Sequence, residues 1–187
     1  MSLIGKEIAD FQVDGYYNNE FIKISKADLA GKWSVFLFYP ANFTFVWPTE
    51  LGDLVDSYDE FQAVGCQVYS ISTDSHYSHK AWHEMSRVVQ KVRFPMLADP
   101  RHVLAKDFQV LVADEGIALR GSFVINPECK IMAYEVHDIP VGRTAKELLR
   151  KVHSCQFVFE NEGQACPAGW HPGAPALRPG IDLVGRI

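Results

Sequence analysis

Seven consecutive residues, Trp33-Ser34-Val35-Phe36-Leu37-Phe38-Tyr39, are apolar apart from Ser34. A run of this length, rich in aromatic and branched side chains, suits a strand covered on both faces. Pro40 to Trp47 reads as a loop, and Pro48 as the first helical residue, where its missing N–H costs nothing. From Glu50 the apolar positions Leu51, Leu54, Val55, Tyr58, Phe61 and Val64 recur at helical spacing, and Gly65 ends the run. A doubly covered strand that feeds an amphipathic helix requires layers on both sides of a sheet. It also places the intervening loop at the carboxyl end of a strand, where open α/β sheets position their chemistry. A helix N-terminus there favours an anion and lowers the pKa of a thiol.

The remaining pattern extends the same architecture. Gln67 to Ser72 reads as a strand, Tyr77 to Val92 as a helix and Phe94 to Leu97 as a short strand. Ser122 to Ile125, Asn126 to Cys129 and Lys130 to Val136 read as strand, turn and strand. An amphipathic helix starts near Thr144, with Leu148, Leu149, Val152 and Phe159 near one face. Residues 161–187 hold four prolines and five glycines with little periodicity, which predicts a C-terminal arm attached to a core of residues 1–160. Alternating strands and helices that end in a hairpin plus helix imply an α/β sandwich with a mixed sheet.

Composition removes several classes of function. The 187 residues carry a net charge of −5 without a Lys/Arg cluster, which argues against nucleic acid or an anionic membrane as partner. No stretch approaches the ~18–20 apolar residues of a membrane helix. Ser2-Leu3-Ile4-Gly5-Lys6 lacks a secretory pattern, so a cytoplasmic protein is expected. Four cysteines are too few for a disulfide scaffold of this size, and none forms Cys-x-x-Cys, which excludes a thioredoxin-type oxidoreductase. Cys66, Cys129 and Cys155 read as bystander or packing residues. His79 and His83 stand at i, i+4 beside His76, but no acidic or Cys partner completes a ligand set, so no metal and no cofactor are expected.

The segment Phe38-Tyr39-Pro40-Ala41-Asn42-Phe43-Thr44-Phe45-Val46-Trp47-Pro48-Thr49-Glu50 resembles the active-site segment of typical two-cysteine peroxiredoxins of the alkyl hydroperoxide reductase C type. That family carries Pro-x-x-x-Thr-x-x-Cys here, and this chain has Trp47 in the place of the cysteine. Ser72-Thr73-Asp74-Ser75-His76 and His79-Lys80-Ala81-Trp82 are similar to the segment after the family's next strand. Asp114-Glu115-Gly116 with Arg120-Gly121-Ser122-Phe123 matches the stretch supplying an active-site arginine, and Val141-Gly142-Arg143 matches a second arginine. Glu162-Gly163-Gln164-Ala165-Cys166-Pro167 resembles the motif of the resolving cysteine. Asn42 stands where many relatives have Asp. The chain lacks both Gly-Gly-Leu-Gly near residue 90 and a Tyr-Phe C-terminal helix, as in the family's robust bacterial type.

The resemblance implies a thioredoxin-like peroxiredoxin fold and a thiol peroxidase that reduces hydrogen peroxide and alkyl hydroperoxides. It implies that Arg120 stabilises the attacking thiolate and the developing charge, that Thr44 positions the peroxide, and that Pro40 shields the site. Glu50 would orient the arginine network, with Arg143 behind it. Cys166 of a neighbouring subunit would resolve the sulfenic acid as a disulfide, later reduced by an AhpF- or thioredoxin-type reductase. The resemblance further implies homodimers paired along Lys130 to Val136, assembled into a decameric ring through loops near position 47 and Ser75 to Ser78. Indole has one N–H and no titratable thiol, so Trp47 predicts a catalytically dead form. A ring-forming holdase or interaction protein is the alternative. A side chain of this size either opens the Phe43 to Trp47 turn and exposes the indole, or repacks against Pro40 and the neighbouring arm.

Overall fold

The computed structural model describes residues 2–186. Its strands are β1 (Gln12–Tyr17), β2 (Glu20–Ser25), β3 (Trp33–Phe38), β4 (Cys66–Ser72), β5 (Met96–Ala98), β6 (Leu111–Val112), β7 (Ile117–Ala118), β8 (Arg120–Ile125) and β9 (Ile131–His137). Its helices are α1 (Trp47–Ala63), α2 (His76–Met85), α3 (Val103–Asp107) and α4 (Ala145–Glu160). Seven strands form one sheet in the order β2-β1-β5-β4-β3-β8-β9. β3, β4 and β5 run parallel, whereas β8 joins β3 antiparallel and β9 joins β8 antiparallel. Among the described residues no helix is long and apolar enough to cross a membrane.

All six residues of β3 are buried, as its sequence requires. Its side chains alternate between two cores. Val35 and Leu37 pack with Leu51, Leu54, Leu148 and Val152 from α1 and α4. Phe36 and Phe38 pack on the other face with Leu104, Phe108 and Phe123. This period of two carries one step further, because Tyr39 joins the α1 face directly after the strand ends.

Several boundaries differ from the sequence expectation. α1 starts at Trp47 after Val46, whose φ of −79° and ψ of −42° are already helical, so Pro48 is the second helical residue. α2 stops at Met85 because Ser86 turns extended, with φ −98° and ψ 123°; Val89–Lys91 form only a separate 3₁₀ turn. β5 lies at Met96–Ala98 instead of starting at Phe94, since Pro95 has no N–H for the ladder. The β1–β2 hairpin, absent from the sequence reading, turns on Asn18 and Asn19 with φ of 50° and 63°. Positive φ at both central residues suits the right-handed twist of a two-residue hairpin.

After α4 the chain folds back onto that helix. Ala165 and Leu177 form an isolated antiparallel bridge. Trp170 is buried, with its ring 4.7 Å from that of Phe157 and its carbonyl accepting from Arg150 Nη1 at 3.2 Å. Phe159 is exposed on one side yet sits edge-on to Trp33 at 5.5 Å.

Candidate active site

The loop between β3 and α1 is fixed by polar contacts at its β3 end. The Asn42 N–H donates to Asp74 Oδ2 at 2.8 Å, and its side-chain amide donates to Ser78 Oγ at 2.9 Å. The Tyr39 hydroxyl donates to Asn42 Oδ1 at 2.7 Å. His79 lies behind them, its Nε2 3.0 Å from the Leu97 carbonyl, which makes Nε2 the protonated nitrogen. Burial lowers the His79 pKa to about 4 and raises that of the Tyr39 phenol. The loop is thereby anchored to the Asp74 carboxylate and to Ser78 and His79 of α2.

Trp47 opens α1 with its side chain pointing inward and only 1% exposed. The indole stacks on Tyr39, with ring centroids 4.3 Å apart and planes 6° from parallel. The guanidinium carbon of Arg143 lies 5.4 Å from the indole centroid. Among the described residues no acceptor meets the indole Nε1. A void of about 20 Å³ remains beside the ring, bordered by Glu50, Ser122 and Arg143. The indole therefore packs inward, stacked on Tyr39. The alternation of β3 explains why: Tyr39 is the next residue facing α1.

One turn into α1, the buried Glu50 carboxylate joins two arginines. Its Oε2 accepts from Arg120 Nη1 at 2.6 Å. Its Oε1 accepts from Arg143 Nε at 2.8 Å and from the Arg143 backbone N–H at 2.9 Å. Arg120 Nε also donates to the Ile139 carbonyl at 2.5 Å, and Arg143 Nη1 donates to the Gly121 carbonyl at 2.7 Å. Burial lowers the Arg120 pKa from its ordinary value while Glu50 opposes that shift. Arg120 starts β8 and Arg143 precedes α4, so three elements meet at the head of α1.

The structure thus brings Trp47, Glu50, Arg120 and Arg143 together. Pro40 is buried at the start of the loop. Thr44 sits three residues before the indole, and its hydroxyl donates back to the Ala41 carbonyl at 2.8 Å. Cys166 lies elsewhere within this chain, with Sγ 3.8 Å from the Ser154 carbonyl of α4. The supporting roles of Tyr39 and His79 were missed by sequence reasoning. The signal for Tyr39 was its place in the alternation of β3, and for His79 its spacing of three from the buried Trp82.

The AhpC/TSA family profile matches residues 4–134, and the C-terminal domain of 1-Cys peroxiredoxin matches residues 154–182. Alkyl hydroperoxide reductase C of Salmonella typhimurium is 47% identical over 187 residues, which is 100% of both chains. The crystal structure of Enterococcus faecalis AhpC is similar at a TM-score of 0.87 and 48% identity, covering 89% of this chain and 100% of that one. The reduced Plasmodium vivax 2-Cys peroxiredoxin, 28% identical, gives a TM-score of 0.89 over 94% of this chain and 93% of its own. With a thioredoxin-like sheet, two arginines gathered on an acidic residue at the head of α1, and identity of this level from end to end, the chain belongs to the AhpC/TSA family of peroxiredoxins and alkyl hydroperoxide reductases.

Proposed function

We propose that this chain is a thiol-peroxidase scaffold for hydrogen peroxide and alkyl hydroperoxides whose chemistry is blocked by Trp47 at the position of the attacking cysteine. The observation that carries the reading is the buried indole one turn before Glu50, beside the Arg143 guanidinium. Peroxide reduction needs a sulfur anion to bond one oxygen while the O–O bond breaks and the other oxygen leaves with a proton. Arg120 can stabilise that charge and Thr44 can orient the substrate, yet neither supplies the bond-forming atom. The four cysteines, Cys66, Cys129, Cys155 and Cys166, all lie outside α1 and its preceding loop.

In this reading residues 1–160 form the peroxiredoxin domain and 161–187 the arm that presents Cys166 to a neighbour. The protein is a cytoplasmic homodimer paired along β9, and five dimers close a ring. A disulfide reductase would serve the parent chemistry. Phe45, 92% exposed, and Tyr77, 64% exposed, are side chains that ring contacts through these loops would cover. The same exposed aromatics favour a second reading as a holdase for unfolded chains.

Stopped-flow peroxide consumption separates the two. The native chain should show no turnover, and Trp47→Cys, supplied with a dithiol reductant, should gain it. Equal rates in the two proteins would refute the assignment. Client binding without recovered turnover would favour the holdase. Sedimentation showing only dimers at micromolar concentration would exclude the ring.

A further inference from the structure

Cys155 and Cys166 line one cavity between α4 and the arm, together with Arg150 and Ser154. Cys166 Sγ rests 3.8 Å from the carbonyl oxygen of Ser154, the residue adjacent to Cys155. Arg150 fixes this corner: its Nη1 donates to the Trp170 carbonyl at 3.2 Å and to Ser154 Oγ at 3.5 Å, tying the arm to the helix. Both thiols are free, Cys155 buried and Cys166 partly exposed. We infer that Cys155 and Cys166 of one chain form a redox-active dithiol that exchanges with low-molecular-weight disulfides, independently of the site at Trp47.

The order of events follows from access and acidity. Cys166 reacts first, because it is the more exposed and its thiol is raised only by partial burial, which Arg150 opposes. Its thiolate attacks one sulfur of the small disulfide, forming a mixed disulfide and expelling one small thiolate. Cys155, which burial pushes up to about 11, then attacks Sγ of Cys166 as its proton leaves. That step forms the Cys155–Cys166 bond and expels the second small thiolate. The two protons given up by the protein thiols end on the two small thiols, and two electrons pass from the protein pair to the small disulfide. Such a bond needs Cα atoms ~4.4–6.8 Å apart. Cys155 is held by the helix, so any adjustment falls on the short segment between the end of α4 at Glu160 and the Ala165–Leu177 bridge.

Glutathione disulfide is the probe. Full-length protein incubated with it should become lighter by two hydrogens per chain, and a non-reducing peptide map should recover Cys155 linked to Cys166 within single chains. Cys155→Ser should instead retain a glutathione adduct on Cys166, and Cys166→Ser should lose most of the fast reaction. A stable Cys166 adduct in the native chain would overturn the inference. So would a Cys166–Cys166 link between chains or a Cys66–Cys155 link. The map of the native chain decides the matter even if a serine variant does not fold.

Discussion

Replacing Glu50 by Gln tests the charge arrangement at the head of α1. Among the described residues Glu50 is the one anion bonded to Arg120 or Arg143, and all three side chains are at most 6% exposed. The amide keeps the shape and one acceptor but turns the other oxygen into an N–H donor facing a guanidinium. The buried cluster passes from one net positive charge to two. Removing one partner of a buried ion pair costs about 3–5 kcal/mol, because the remaining charge stays desolvated. The acceptor that Gln retains places Glu50→Gln at the lower end, about 3 kcal/mol, and Glu50→Ala near the upper end. With a urea m-value of about 2 kcal/mol/M, the unfolding midpoint should fall by about 1.5 M at fixed protomer concentration. Adding Arg120→Met to Glu50→Gln removes one unpaired cation and should recover part of the loss. A midpoint shift under about 0.5 M, or a double variant weaker than Glu50→Gln alone, would refute the reasoning.

Trp47→Phe keeps a ring over Tyr39 and deletes an N–H that has no acceptor, so it should destabilise by about 1 kcal/mol or less, whereas Trp47→Ala should lose about 3–5 kcal/mol. Equal losses on thermal unfolding would mean that the indole nitrogen has a partner. His79 titrates near 4 in the folded chain against an ordinary 6.5 because burial disfavours its charge. Between these values the unfolded chain binds more protons, so the stabilisation is complete above pH 6.5 and falls as pH drops towards 4. At about 1.4 kcal/mol per pH unit the loss over this interval amounts to about 3.5 kcal/mol. His79→Gln should flatten that part of the stability–pH curve, and an unchanged slope would remove His79 as its cause.

The parts of the fold legible in the sequence are those in which one periodicity persists. β3 and α1 follow each other with a clean change from period two to 3.6, and β8 and β9 flank an obvious Asn126-Pro127 turn. β1 was not legible, because Asp14 and Gly15 interrupt its apolar pattern, although Asn18-Asn19 carried the turn signal. The two-residue strands β6 and β7 are too short to have a period. The site divides in the same way. The anion-favouring helix start could be read from local chemistry, but the convergence on Glu50 joins residues 70 and 93 positions away. Nothing in local spacing carries that contact; only the resemblance did. The packing of the indole on Tyr39 follows from strand alternation, a signal the sequence reading did not use.

On the proposed reading, the same charge count explains how a chain without the reactive sulfur keeps the frame. Two guanidiniums face one carboxylate, so the cluster carries one positive charge that a thiolate at position 47 would neutralise. Trp47 offers Arg143 its ring at 5.4 Å instead. A cation–π contact at a desolvated site contributes up to about 2 kcal/mol, short of a full counter-charge but enough to offset part of the burial cost. The indole also occupies the inward seat beside Tyr39 and holds the first turn of α1 in place. Packing and π-electrostatics can therefore stand in for the anion in stability, whereas bond formation to oxygen has no such substitute. On the proposed reading, structural persistence and loss of reactivity are two consequences of one side chain.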